Sequence, residues 1–204
     1  MLLPKVILCD LGNVLINFDH RIAVRRILPY TDKPFDEIYR YIFDSPATKA
    51  YEEGKISSYE FFRRLKKKLK FKKLSYRKFV TIWNEIFWEN KEMSALLRLL
   101  KKDYRLHLVS NINKLHYDFI AKQFARAMSI FDKIILSYDV GARKPHPRIY
   151  RAAIEDKGFT RRDALYTDDR LDLTQKARGM GIASIMFKNA RDLKKQLKSL
   201  KVLQ

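Results

Sequence analysis

Apolar positions follow two different rhythms along this chain. Residues 4–10 (PKVILCD) read as a short buried strand, continuously apolar from Val6 to Cys9, and they end in a carboxylate where another apolar residue would fit. Leu11-Gly12-Asn13-Val14-Leu15 reads as a glycine turn followed by more apolar residues. From about Phe18 to Asn90 the spacing becomes helical. It predicts helices over residues 21–28, 35–43, 58–69 and 76–89, with no strand among them. Ser57 and Glu60 have the spacing of a capping box. After this block strand and helix alternate. Strands are predicted at 104–110, 133–137, 164–167 and 182–187, and helices at 92–102, 114–128, 147–155, 172–180 and 190–200. Alternation of this kind implies βαβ units, so the expected fold is α/β: a doubly wound parallel sheet over residues 1–16 and 91–204, interrupted by an α-helical insert over 17–90.

Composition narrows the class. Of 204 residues, 47% are hydrophobic and 13% aromatic, with six Gly and six Pro, so the chain can bury a core and has little linker material. Cys9 is the single cysteine, which excludes an internal disulfide and a Cys-based zinc site and leads us to expect a cytoplasmic protein. No apolar run reaches the roughly 18 residues of a membrane span, so no membrane partner is expected. The segment Met1-Leu2-Leu3-Pro4-Lys5 is short and wrongly ordered for a secretory signal. The charge is +20, from 43 Lys and Arg against 23 Asp and Glu, and its one dense run is RRLKKKLKFKKLSYRK at residues 63–78. The ordinary reading of that run is the wet face of amphipathic helices. The other is a patch for nucleic acid or an acidic partner.

Ligands of a parallel sheet bind beyond the carboxyl ends of its strands. Here the predicted strands end at Asp10, at Ser110-Asn111, before the stretch leading to Lys144, and at Asp168-Asp169. A carboxylate, a hydroxyl with an amide, a cation and an acidic pair would therefore share one rim. Cys9 alternates to the opposite side of its strand and reads as a small buried side chain. His20, His107, His116 and His146 show no ligand spacing; His116, just after the Ser110-Asn111 loop, is the one placed for function. The aromatics of the helical block read first as its core.

Four segments occur in order: DLGNVL at 10–15, Ser110-Asn111, RKPHPRIY at 143–150, and Asp168-Asp169 with Gly179-Met180-Gly181-Ile182 downstream. Together they resemble the haloacid dehalogenase-like hydrolase superfamily, in its phosphatase branch with a helical cap inserted after the first motif. DLGNVL, SNINKLH at 110–116 and GARKPHPRIY at 141–150 are similar to the α-glucose-1-phosphate phosphatase group. The resemblance implies a magnesium-dependent phosphatase of a small phosphorylated metabolite. It implies Asp10 as the nucleophile that forms an aspartyl-phosphate, and Mg2+ held by Asp10, the Gly12 carbonyl and Asp169, with Asp168 assisting. Lys144 would neutralise the nucleophile and the phosphoryl group, and Ser110 with the Asn111 N–H would donate to phosphate oxygens.

Two positions depart from that pattern. Gly12 stands where such phosphatases carry a second Asp as general acid, which suits a hemiacetal leaving group and leaves Asp19 or a cap residue as the alternative donor. Leu173 stands where relatives carry Asp or Asn, with Asp172 one position earlier, and Arg170 adds a positive charge beside the acidic pair. Two competing functions follow. A metal-independent haloacid dehalogenase fits poorly, because dehalogenases lack the acidic pair. A catalytically degenerate member binding nucleic acid or an acidic partner fits Gly12, Leu173 and the +20 charge.

Overall fold

A computed structural model describes residues 3–155 and 158–203; Met1 and Leu2 of the amino-terminal segment weighed above lie outside the described residues. β1 (Val6–Cys9) leads through a turn into the short β2 (Ile16–Phe18). Then come α1 (His20–Ile27), α2 (Phe35–Phe43), α3 (Pro46–Glu52), α4 (Ser58–Leu69) and α5 (Tyr76–Asn84). β3 (Phe87–Glu89) returns antiparallel to β2. The alternating region follows as α6 (Lys91–Leu100), β4 (Arg105–Ser110), α7 (Lys114–Gln123), α8 (Ala125–Met128) and β5 (Lys133–Leu136). It continues through α9 (Ser137–Val140), α10 (Pro147–Ile154), β6 (Ala164–Asp168), α11 (Leu171–Gly179), β7 (Ala183–Met186) and α12 (Ala190–Ser199).

The core is a parallel five-stranded sheet in the order β5-β4-β1-β6-β7, an α/β doubly wound arrangement with β1 at its centre. The unbroken apolar run of β1 follows from that position. Ile7 and Cys9 enter the core on one face with Leu97 and Leu106, while Val6 and Leu8 enter the other with Ile149 and Ala153. The helical block buries a separate core of Ile38, Phe61, Leu65, Phe79 and Trp83. Within it, the Trp83 ring meets those of Phe43, Phe61 and Phe79 at 5.4–5.5 Å.

The structure differs from the periodicity in four places. The predicted helix 76–89 stops at Asn84, and Phe87-Trp88-Glu89 pairs with Phe18-Asn17-Ile16, so the helical block does contain a strand. Aromatic residues suit either state, and the partner that selects the strand lies 70 residues away. The predicted helix 114–128 breaks at Phe124 (φ −118°, ψ 36°) into α7 and α8. α3 and α9 were not expected. α3 has a readable start, with Pro46 in its first turn and the Ser45 hydroxyl accepting from Thr48 N at 3.2 Å. At Ser57 only half of the capping box forms. Its Oγ accepts from Glu60 N at 3.1 Å, but the Glu60 carboxylate turns to Arg64 (2.9 Å) and Arg63 (3.3 Å), since charged donors outcompete a backbone N–H.

Gly54, just after α3, lies at φ +68°, and a Cβ there would stand 2.3 Å from the Tyr138 carbonyl oxygen of α9. The helical block and the sheet domain touch here backbone against side-chain position, so no side chain fits. Gly54→Ala should lower unfolding stability in urea by at least about 2 kcal/mol, from left-handed strain plus the clash. Gly141→Ala, with similar φ and nothing nearer than 3.9 Å, should cost about 1 kcal/mol. Equal costs would contradict the contact.

Candidate active site

β1, β4 and β6 carry their last residues to one edge of the sheet, where the loop before α10 meets them. Lys144 in that loop is 5% exposed, and its ammonium lies 2.5 Å from Asp10 Oδ1 and 2.7 Å from Asp168 Oδ2. Asp10, Asp168 and Asp169 each present an oxygen within 4.8 Å of the others. The structure thus brings Asp10, Gly12, Ser110, Asn111, Lys144, Asp168 and Asp169 to the wall of one cavity of about 280 Å³.

Their bonding divides the work among them. Both oxygens of Asp168 are committed: Oδ2 accepts from Lys144 and from the Tyr166 hydroxyl, and Oδ1 from Arg170 N at 2.9 Å. Asp10 uses Oδ1 for Lys144, and its backbone N–H donates to the Thr167 carbonyl, which ties the first strand end to the fourth motif. Asn111 has a task the sequence did not announce. Its amide donates to the Lys144 carbonyl (3.0 Å) and accepts from the Lys144 N–H (2.6 Å), clamping the backbone that carries the cation.

Three carboxylates facing one ammonium leave an excess of two negative charges. Burial, reinforced by Asp168 and Asp169, pushes the Asp10 carboxyl up from 3.8 to about 7 against the pull of Lys144. Burial, then Asp168, also raises Asp169. For Lys144 burial opposes the charge, but Asp10 and Asp168 overcome it and hold the ammonium protonated well above its usual range. An oxygen-only donor set with two surplus negative charges fits a small hard divalent cation.

The remaining predicted residues fall as follows. A Cβ on Gly12 would lie 2.9 Å from Phe18 Cε1, so the Phe18 ring fills the space a side chain there would take. Asp19 caps α1 and pairs with Arg21 at 2.9 Å, and the Arg21 hydrogen bond holds its carboxyl below the usual range; it does not line the cavity. Leu173 is buried against the cavity, whereas Asp172 is exposed and paired with Arg170. His116 Nδ1 accepts from the Asn113 amide and Nε2 donates to the Trp83 carbonyl (3.0 and 3.1 Å), so the ring bolts α7 to α5. Burial keeps it neutral. His20 lies stacked on Phe43 at 3.7 Å, lines the cavity, and is pushed down to about 4 by burial. Cys9 is buried, its thiol raised by burial and bonded to the Asp10 carbonyl.

Sequence reasoning passed over Glu52. It sits on α3, faces the cavity, and pairs with Arg143, the neighbour of Lys144, at 2.6 Å. Burial raises its carboxyl despite the guanidinium. A lone acidic residue in a helix that periodicity did not predict carries no signal; the turn Glu53-Gly54 after it was the available clue.

The haloacid dehalogenase-like hydrolase profile matches residues 4–177. The chain belongs to the haloacid dehalogenase-like hydrolase family. It is 25% identical over 200 residues to drimenol cyclase drtB of Aspergillus calidoustus, covering 96% of this chain and 36% of that one, so it spans about a third of that relative. It is 24% identical over 200 residues to D-ribitol-5-phosphate phosphatase of Bacteroides thetaiotaomicron, covering 95% and 96% of the two chains. A haloacid dehalogenase family enzyme of Bacteroides thetaiotaomicron, solved with magnesium and inorganic phosphate, superimposes with a TM-score of 0.80 at 26% identity over 91% of this chain and 95% of that one.

A double-mutant cycle on Glu52→Gln and Arg143→Met, followed by urea unfolding, should give a coupling energy between about 0.5 and 3 kcal/mol. Additive losses would show that the pair does not hold the helical block to the Lys144 loop.

Proposed function

We propose that the protein is a magnesium-dependent phosphomonoesterase of a small phosphorylated metabolite, a sugar phosphate being the substrate that the cavity suits. The observation that carries this reading is the Lys144 ammonium held between Asp10 and Asp168, beside Asp169, at the bottom of one cavity. Residues 1–16 and 91–204 act as the hydrolase core and 17–90 as its cap, in keeping with the separate apolar core of the helical block.

Asp10 Oδ2 attacks phosphorus and the bond to the leaving oxygen breaks, giving an aspartyl-phosphate on Asp10. Water then attacks the same phosphorus, the Asp10–phosphorus linkage breaks, and inorganic phosphate leaves. Lys144 offsets the repulsion between the carboxylate and the incoming dianion, while Asp168 and Asn111 keep its ammonium in place. Ser110 and the Asn111 N–H donate to the phosphoryl oxygens. Asp10, the Gly12 carbonyl and Asp169 would hold Mg2+, with Asp168 assisting through water. Bound there, the ion supplies the positive charge that the acidic cluster lacks. Phe18, Phe43 and Trp83 form an apolar wall suited to the flat face of a sugar ring.

The degenerate, binding-only reading draws on Gly12 and Leu173, which remove two acidic groups from the site. Asp10→Asn decides between them: p-nitrophenyl phosphate turnover should fall at least about a thousandfold in a folded variant. Wild-type protein without measurable turnover would favour the second reading, and full activity in the variant would remove Asp10 as nucleophile. EDTA should stop turnover and magnesium restore it. Because the folded Asp10 carboxyl titrates near 7 and an unfolded one near 3.8, raising the pH through 7 withdraws stability from the fold. Magnesium should therefore raise the melting temperature more at pH 8 than at pH 5.

With Gly12 the leaving oxygen receives no proton from that position. General acid help is worth about 10²–10⁴-fold, so esters of acidic alcohols and hemiacetal 1-phosphates should exceed simple alkyl phosphates of equal size by a comparable factor. Equal turnover of p-nitrophenyl and alkyl phosphates would reveal an acid elsewhere in the cavity.

A further inference from the structure

The basic run at 63–78 takes no part in the cavity. Between Phe61 and Asn84 the chain has ten Lys and Arg and no Asp or Glu, and all ten are exposed. Tyr59, Arg63, Lys66, Lys67 and Lys70 recur along α4 and its carboxyl cap at helical spacing. They form one stripe about 16 Å long, turned away from the buried Phe62, Leu65 and Leu69. Glu60 pairs with Arg63 and Arg64, and Asp32 with Lys72. Among the described residues no carboxylate pairs with Lys66, Lys67, Lys70, Lys73, Arg77 or Lys78.

Three separate costs fall on these cations. They repel one another. Lys70 and Lys73 sit at φ +53° and +55°, left-handed backbone where glycine or asparagine is less strained. Arg77 and Lys78 occupy the first turn of α5, the positive end of its dipole. A bound polyanion relieves the repulsion and the dipole conflict together. At one end of the stripe Tyr59 is 57% exposed, its ring 5.3 Å from Tyr76 and edge-on to it, one helical turn from Arg63. An exposed ring beside a line of cations is the arrangement that takes an unstacked base with its phosphates.

We propose that this outer face of the helical block binds single-stranded nucleic acid, with phosphates along Arg63, Lys66, Lys67 and Lys70 and a base on Tyr59. Nothing in this rests on the catalytic reading, since none of these residues lines the cavity.

Fluorescence anisotropy of the full chain with labelled oligouridylate, from 50 to 200 mM salt, tests it. Four phosphate contacts on a single strand should give a log–log salt slope of about −3, and a duplex should bind more weakly. Tyr59→Ala should weaken binding about tenfold and leave the slope unchanged. The triple variant Lys66→Gln, Lys67→Gln, Lys70→Gln should bring the slope to about −1, with circular dichroism and melting confirming that it is folded. Wild-type affinity in the folded triple variant would overturn the assignment. So would Tyr59→Ala without effect, or heparin or anionic vesicles bound as tightly with the same slope, either of which would make the face an unselective polyanion surface.

Discussion

Lys144 is buried between two carboxylates from different strands, and the site is organised around that contact. An ammonium and two carboxylates out of water are each costly alone, so the three hold one another in place only if β1, β6 and the loop before α10 are all formed. Asn111 adds the backbone clamp on Lys144 and Tyr166 the donor on Asp168. With Asp169 alongside, the count still leaves two negative charges, and burial first, then Asp168 and Asp169, raises the Asp10 carboxyl against the pull of Lys144. The same imbalance is what a small divalent cation would offset.

Over this charged floor the helical block lays an apolar wall. Phe18 comes from β2, Phe43 from α2 and Trp83 from α5, and the β2–β3 pair anchors both ends of the block to the sheet domain. The Phe18 ring stands against Gly12, so a side chain at position 12 would have to displace its edge. Polar residues on the wall include the Glu52–Arg143 pair and the bonded His116. The first links the block to the loop that carries Lys144, and the second links it to α7, which follows the Ser110-Asn111 loop. The block therefore shapes the apolar side of the cavity while the sheet edge shapes its charged side.

The strands of the sheet could be read from the chain because burial on both faces writes continuous apolar runs, and the rim residues stood out as polar endings to those runs. Asp10, Ser110 and Asp168-Asp169 were visible for that reason. Lys144 was not distinguishable from any other lysine except by its motif. β3 was misread because Phe87 and Trp88 suit a helix as well as a strand, and Glu52 was passed over because α3 is short and starts at a proline.

Sequence by itself determined what depends on local order: apolar period, strand endings, the glycine at position 12, the four segments and their succession. Tertiary structure decided what depends on distance. It put the Lys144 ammonium on Asp10 and Asp168, turned Asn111 into a clamp, set Phe18 against Gly12, sent Asp19 and Asp172 to surface arginines, and drew the Tyr59–Lys70 stripe onto one outer face. The physical reason is that electrostatic and packing energies vary with separation over a few ångströms, whereas separation along the chain says nothing about which charges share a cavity.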